Sequence, residues 1–185
     1  FGRVAFYVSR KRFDYVVLGP RVEVQQIASG VIDSSLTGNW THPGTYDNEG
    51  RDRILLVSLA GSSAAPQSVT CGGEAMTQLA ASGTSIVYYL LNPAAGPQDI
   101  VVIYASSVTM VLGSSVTMRN VNPTLAPTTV TASGNSTTPS VSLAGVQANW
   151  AAWDALSAVS TTTVSATTGA GQVSLWNTYL PDVRT

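Results

Sequence analysis

The sequence predicts an all-β fold: a two-sheet antiparallel β-sandwich, jelly-roll-like, with an extended basic segment at its N-terminus. Three observations carry this. Short apolar runs rich in Val, Ile, Leu and Tyr recur at spacings of about 8–12 residues, separated by Gly, Pro and Ser. Hydrophobic residues make up 44% of the 185, enough to bury a full core. The runs are too numerous for one flat sheet with a wet face, so two sheets must cover each other.

The charge pattern divides the chain. Residues 1–21 hold Arg3, Arg10, Lys11, Arg12 and Arg21 against Asp14 alone, a balance of +4, whereas the rest of the chain has a balance of -5. Such asymmetry marks an interaction segment. Residues 1–28 are therefore read as a basic β arm or hairpin and residues 29–185 as the sandwich domain. The stretch FGRVAFYVSRKRFDYVVLGP is rich in Val, Phe and Tyr, which favours extended structure, and Gly19-Pro20 stops it. It is either the first hairpin of the domain, turning at Ser9–Arg12, or an arm that docks on a neighbouring subunit. In the second case Phe1, Arg3, Phe6, Arg10, Lys11, Arg12 and Phe13 are the contact residues, acting through strand addition, apolar burial or charge pairing. Nucleic acid is disfavoured as the partner, because a phosphate-binding surface needs a broader basic stripe.

The body is β from end to end. RILLVSLAG (Arg53 to Gly61) is dense enough for a central strand. SVTCGG and EAMTQLAAS form a tight pair about Gly72-Gly73, a dipeptide that tolerates the positive φ of a primed turn. TSIVYYLLN is the next strand, then DIVVIYAS, then VTMVLGSSVTMRNV with a bulge or bend at Gly113. SSVTM occurs at 106–110 and again at 114–118, which reads as two arms of a hairpin about Val111-Leu112-Gly113. ANWAAWDALSAV is read as a strand rather than a helix, because β sequence surrounds it, and VSLWNTYL closes the chain.

Charged residues are only 10%, so Ser, Thr, Asn, Gln and Gly carry the surface. Cys71 is the sole cysteine, which excludes an intrachain disulfide and a cysteine zinc site, and it reads as a small buried hydrophobe. No apolar run approaches the ~20 residues of a membrane-spanning helix. The chain starts at Phe1, so it reads as processed or as part of a longer gene product.

Chemistry is sparse. His42 is the one imidazole, in the polar stretch NWTHPGTYDNEGRD, and no Gly-x-Ser-x-Gly elbow accompanies it. It reads as a loop histidine bonded to backbone. Asp47, Glu49 and Asp52 crowd one loop, but Arg51 and Arg53 interleave and would neutralise them, so a solvated turn is preferred to calcium. No catalytic residue, metal site or cofactor is assigned. Trp40, His42 and Tyr46 are the best candidates for a sugar-stacking platform; the competing reading puts the tryptophans in the core or at a subunit interface.

Five motifs in order carry a resemblance: SSLTGNWTH, RDRILLVSLAG, VTCGGEAMTQL, VYYLLNPAAG and GAGQVSLWN. Together they resemble a β-sandwich module of tailed-phage virion proteins and large bacterial surface proteins, over about residues 34–177. Cys71 stands where that pattern has a bulky aromatic. The resemblance implies a decoration or attachment module without catalytic residues. The expected function is thus a non-enzymatic structural protein of a virus particle, a phage capsid decoration or tail-associated protein. Its partners would be other virion or surface subunits and further copies of itself, with no membrane. The rival is an extracellular glycan-binding or adhesion module of a bacterial cell surface, with a host glycan as partner.

Overall fold

The computed structural model describes residues 2–9, 22–44, 52–62, 64–122, 127–133, 142, 144, 151–159 and 172–179. The described residues form ten strands: β1 (Gly2–Ser9), β2 (Glu23–His42), β3 (Arg53–Ala60), β4 (Ser68–Cys71), β5 (Glu74–Ala75), β6 (Thr77–Ser82), β7 (Ser85–Leu91), β8 (Gln98–Arg119), β9 (Ala152–Val159) and β10 (Gln172–Tyr179). Every pairing is antiparallel, and no helix occurs among the described residues. The all-β reading is correct.

The chain divides into two compact units, Phe1–Arg21 with Val146–Thr185, and Val22–Gly145. In the first, β1 is the middle of a three-stranded sheet, order β10-β1-β9. Phe6 stands opposite Trp176 on one side and Ala155 on the other. Both edges of β1 are therefore taken by β9 and β10; residues 10–21, which would carry the turn and second arm of the expected hairpin, lie outside the described residues. The strand reading of ANWAAWDALSAV holds over Ala152–Val159.

The second unit is a seven-stranded sheet, order β5-β4-β8-β3-β7-β6, with β2 along the other side of β8. β3 is central as expected, lying between β8 and β7 with seven of its eight residues buried. Gly72 and Gly73 have φ of 57° and 84° and join Cys71 to Glu74 in a two-residue turn, as expected of that dipeptide. The predicted partner of β4 is cut short, however. Only Glu74 and Ala75 pair with it; after Met76 the chain crosses to pair β6 with β7. The Asn92-Pro93 strand end is a clamp on β3. Asn92 has φ 50°; its side chain accepts from the Arg53 N–H at 3.2 Å, and its own N–H donates to the Arg53 carbonyl at 2.8 Å.

Two long strands organise the unit. β2 spans 20 residues and β8 spans 22, and they pair from Glu23↔Arg119 to Thr41↔Asp99 and His42↔Gln98. One half of β8 also pairs with β4 and the other with β3. Between them the ribbon bends. The register jumps between Ser35↔Val108 and Thr37↔Ile103, and Ser34 takes φ 46°. The Ser35 hydroxyl, which donates to the Thr37 carbonyl at 2.9 Å and accepts from the Thr37 N–H at 3.2 Å, fixes the corner. Two expectations fail here. The SSVTM copies are not arms of a hairpin but lie in one continuous strand, and Gly113 is neither a bulge nor a bend but a regular ladder residue between Gly30 and Leu59.

The bend curls the sheet so that its two halves face each other across the core. Trp40 comes back over the Gly30–Gly113 pair. A Cβ on Gly30 would stand 2.8 Å from the Trp40 side chain, and one on Gly113 would stand 2.6 Å from it. The paired glycines thus leave the recess that the indole fills. Around it pack Leu55, Val57 and Leu59 of β3, Ile86, Tyr88 and Leu90 of β7, and Ile100 and Val102 of β8.

Candidate functional site

Period-two alternation sends Gly38, Trp40 and His42 to the same face of β2, and all three are buried. The opposite half of the curled sheet presents Ser115 and Thr117 of β8, which are likewise two apart and buried. These four side chains meet in the most polar part of the core. The His42 Nδ1 lies 2.8 Å from the Ser115 hydroxyl, its Nε2 lies 2.6 Å from the Thr117 hydroxyl, and the Trp40 indole N–H donates to Ser115 Oγ at 3.2 Å. Ser115 Oγ also reaches the Ala28 carbonyl at 3.5 Å, the outer limit of a hydrogen bond.

Counting protons selects one tautomer. With the hydrogen on Nδ1, Ser115 accepts from both His42 and Trp40 and keeps its own proton for Ala28, while Thr117 donates to the bare Nε2. With the hydrogen on Nε2, Ser115 spends its proton on His42 and the Ala28 carbonyl loses that contact. The Nδ1–H form uses every group, which is what burial demands.

Burial also holds the ring neutral. His42 is 2% exposed, and desolvation lowers its pKa from 6.5 to about 4. A catalytic base must lie within hydrogen-bond reach of a reactant. Here both nitrogens are occupied by hydroxyls inside the core. The cluster's chemistry is that of a cross-link between the two halves of the sheet.

His42 is therefore not a loop histidine bonded to backbone; it ends β2 and bonds side-chain hydroxyls. Its burial and that of Trp40, 8% exposed, leave neither ring presented for a sugar to stack on. Tyr46, Asp47 and Glu49 lie outside the described residues. Asp52 is exposed, and among the described residues no three His, Cys, Asp or Glu side chains gather as metal ligands would. Cys71 is 4% exposed, and its thiol is pushed up to about 11 by burial first and then by Glu74 and Asp99. At neutral pH it is a protonated, inert core side chain.

Of the expected contact residues, Arg3 and Phe6 fall on β1, opposite Tyr179 and Trp176 of β10 respectively. With both edges of β1 paired, strand addition to a neighbour is closed to it. Phe1, Arg10, Lys11, Arg12 and Phe13 lie outside the described residues.

Sequence reasoning missed Ser115 and Thr117. The signal was present in the alternation of GNWTH: once Gly38 and Trp40 face inward, His42 must follow, and a buried imidazole requires partners. It also missed the exposed side of β2, with Ile103 beside it on β8. There Ile27 is 43%, Val31 54%, Leu36 49% and Ile103 38% exposed among Ser, Thr and Asn. No protein-family model, no curated protein and no solved structure matches this chain.

Proposed function

We propose that the chain is a non-enzymatic structural protein of a virus particle, a phage capsid decoration or tail-associated protein, that assembles through protein–protein contacts. The observation that carries this reading is the exposed apolar side of β2 together with Ile103 of β8. Exposed Ile27, Val31, Leu36 and Ile103 lie among uncharged hydroxyl and amide side chains, and Asp33 and Asp99 are the acids nearby. Apolar surface with few charges is readily desolvated by another protein surface. The only histidine and the only cysteine are both held inside the core. The five-motif run in residues 34–177 supports the same module type.

The finer architecture belongs to this reading too. A two-layer sandwich of jelly-roll type is supported by the curl of the ribbon, by Trp40 over Gly30 and Gly113, and by the His42 cross-link to Ser115 and Thr117. The partners are then other virion subunits and further copies of the chain, and the virion is its location.

Mass spectrometry of gradient-purified particles from cells carrying the gene tests the assignment. The chain should be present in fixed ratio to the main coat protein. Recovery in the cell-envelope fraction alone would replace it with the surface-adhesion reading.

A further inference from the structure

β8 takes up one edge of β2 along its length, and among the described residues the other edge of β2 pairs with no strand. An open edge is a row of N–H and C=O groups that another strand can occupy. Edges are normally blunted by Lys, Pro, inward charge or bulges. β2 has irregularities between Val24 and Gln26 and between Ser35 and Thr37, and Ser34 turns left-handed. Regular pairing is thereby confined to Gln26–Asp33. That stretch contains no Lys, Arg or Pro, and its one charge is Asp33 at the end. Its outward side chains are Ile27, Ser29, Val31 and Asp33, all exposed.

We propose that this edge pairs with the same edge of a second copy of the chain, antiparallel and centred on Ser29, so that the two sheets continue as one across a twofold axis. The occupant must be an extended strand, because what it meets is a ladder edge. The edge's own sequence selects itself as that strand. Residues directly opposite in an antiparallel pair lie on the same face. Centred on Ser29, Ile27 of each copy faces the partner's Val31, and the two apolar contacts form on either side of the axis. Ala28 faces the partner's Gly30, so nothing crowds. Gln26 faces the partner's Ile32, and Asp33 falls just past the paired stretch, so no acid meets an acid. Moving the centre to Ile27 sets Val31 against the partner's Glu23; moving it to Val31 sets Ile27 against the partner's Ser35. Each of these keeps one apolar pair, Ile27 with Ile27 or Val31 with Val31 on the axis, where the Ser29 centre has two. An isologous contact of this kind closes at two copies. The proposal deepens the assembly reading above and rests on it. The dimer, however, is measured on the purified chain and particle association on particles, so either can fail alone.

A strand-sized contact belongs to the small interface class, so the full chain is studied by sedimentation at about 100 µM. The expected mass is twice the 19.2 kDa of one chain. Val31→Lys, at an exposed position, should keep the circular dichroism of the parent and sediment as a monomer. Ser29→Cys should link two copies on oxidation, since opposed Cα atoms in an antiparallel pair stand about 4.5–5.5 Å apart, within disulfide reach. Asp33→Cys should not, and the buried Cys71 does not compete. A monomer at that concentration, a dimer indifferent to Val31→Lys, or Asp33→Cys linking as readily as Ser29→Cys would each overturn the proposal.

Discussion

Ser106–Met110 and Ser114–Met118 are the same five residues, SSVTM, in the same strand. In the first copy Val108 is buried, Ser106, Ser107 and Thr109 are exposed, and Met110 is intermediate; in the second copy all five are buried. Composition and local propensity cannot account for the difference, since they are identical. Neighbours do. The first copy lies at the bend, past the β4 pairing that stops at Ser68↔Ile103 and before the β3 pairing that starts at Leu112↔Ala60, so among the described residues β2 is the one strand beside it. The second copy runs between β2 and β3; its Ser115 and Thr117 face the returning half of the curled sheet, and Ser114, Val116 and Met118, on the opposite face, are buried as well. A strand residue's energetic role is thus set by what stands beside and above it, and the pentapeptide is a natural control for that statement.

The largest contrast is expected at the methionines. Met118 is 3% exposed, so Met118→Ala removes a packed side chain and leaves a cavity, at a cost of about 2–5 kcal/mol. Met110→Ala, at a half-covered position, should cost less than half of that. Urea unfolding followed by far-UV circular dichroism reads both. Equal losses would mean that the bend is packed as tightly as the core and would erase the comparison.

This contrast also marks what could be read from the residues alone. β3, β7 and the Gly72-Gly73 turn were legible because each announces itself locally: dense aliphatics in Arg53–Ala60 and Ser85–Leu91, and two glycines that accept positive φ. β8 reads locally as two arms because Gly113 looks like an interruption. In a flat sheet a strand glycine is a weakness; here it pairs with Gly30 to admit Trp40, a residue of the opposite half of the sheet. That contact depends on the bend at Ser34–Leu36, and no local pattern encodes how far a ribbon folds back. The polar cluster was hidden for the same reason. Ser115, Thr117 and His42 are ordinary surface types, and only the curl brings them together in the core.

Acid separates the two copies next, because only the second holds a titratable partner. Folded His42 takes a proton near pH 4, whereas the unfolded chain takes it near 6.5. Between those values the unfolded state binds more protons, so stability falls as pH falls. The slope approaches 1.36 kcal/mol per unit, for a total of about 3 kcal/mol. The stability is fully present above pH 6.5 and is lost progressively towards pH 4. From pH 6.5 down to about 5.5 ordinary carboxylates stay ionised, so the slope there is that of His42. His42→Gln should flatten the profile there. A parent whose urea midpoint is level from pH 7 to 5 would show that the ring is not neutral and buried as described.

The finest contrast is between the threonines, where shape can be kept and a single proton donor removed. Thr117 is 0% exposed and supplies the hydroxyl 2.6 Å from His42 Nε2. Thr117→Val keeps the branched outline and leaves a buried ring nitrogen with no donor, at a cost of about 1–3 kcal/mol. Thr109→Val makes the same chemical change where water reaches the side chain, so it should stay within about 0.5 kcal/mol of the parent. The tautomer argument adds a condition. With the proton on Nδ1, only Thr117 feeds Nε2, and Thr117→Ser, which retains the donor, should recover the hydrogen bond while losing one methyl, close to 1 kcal/mol. If Thr117→Val were as harmless as Thr109→Val, the hydroxyl would not be holding the imidazole, and the two halves of the curled sheet would be joined by apolar packing alone.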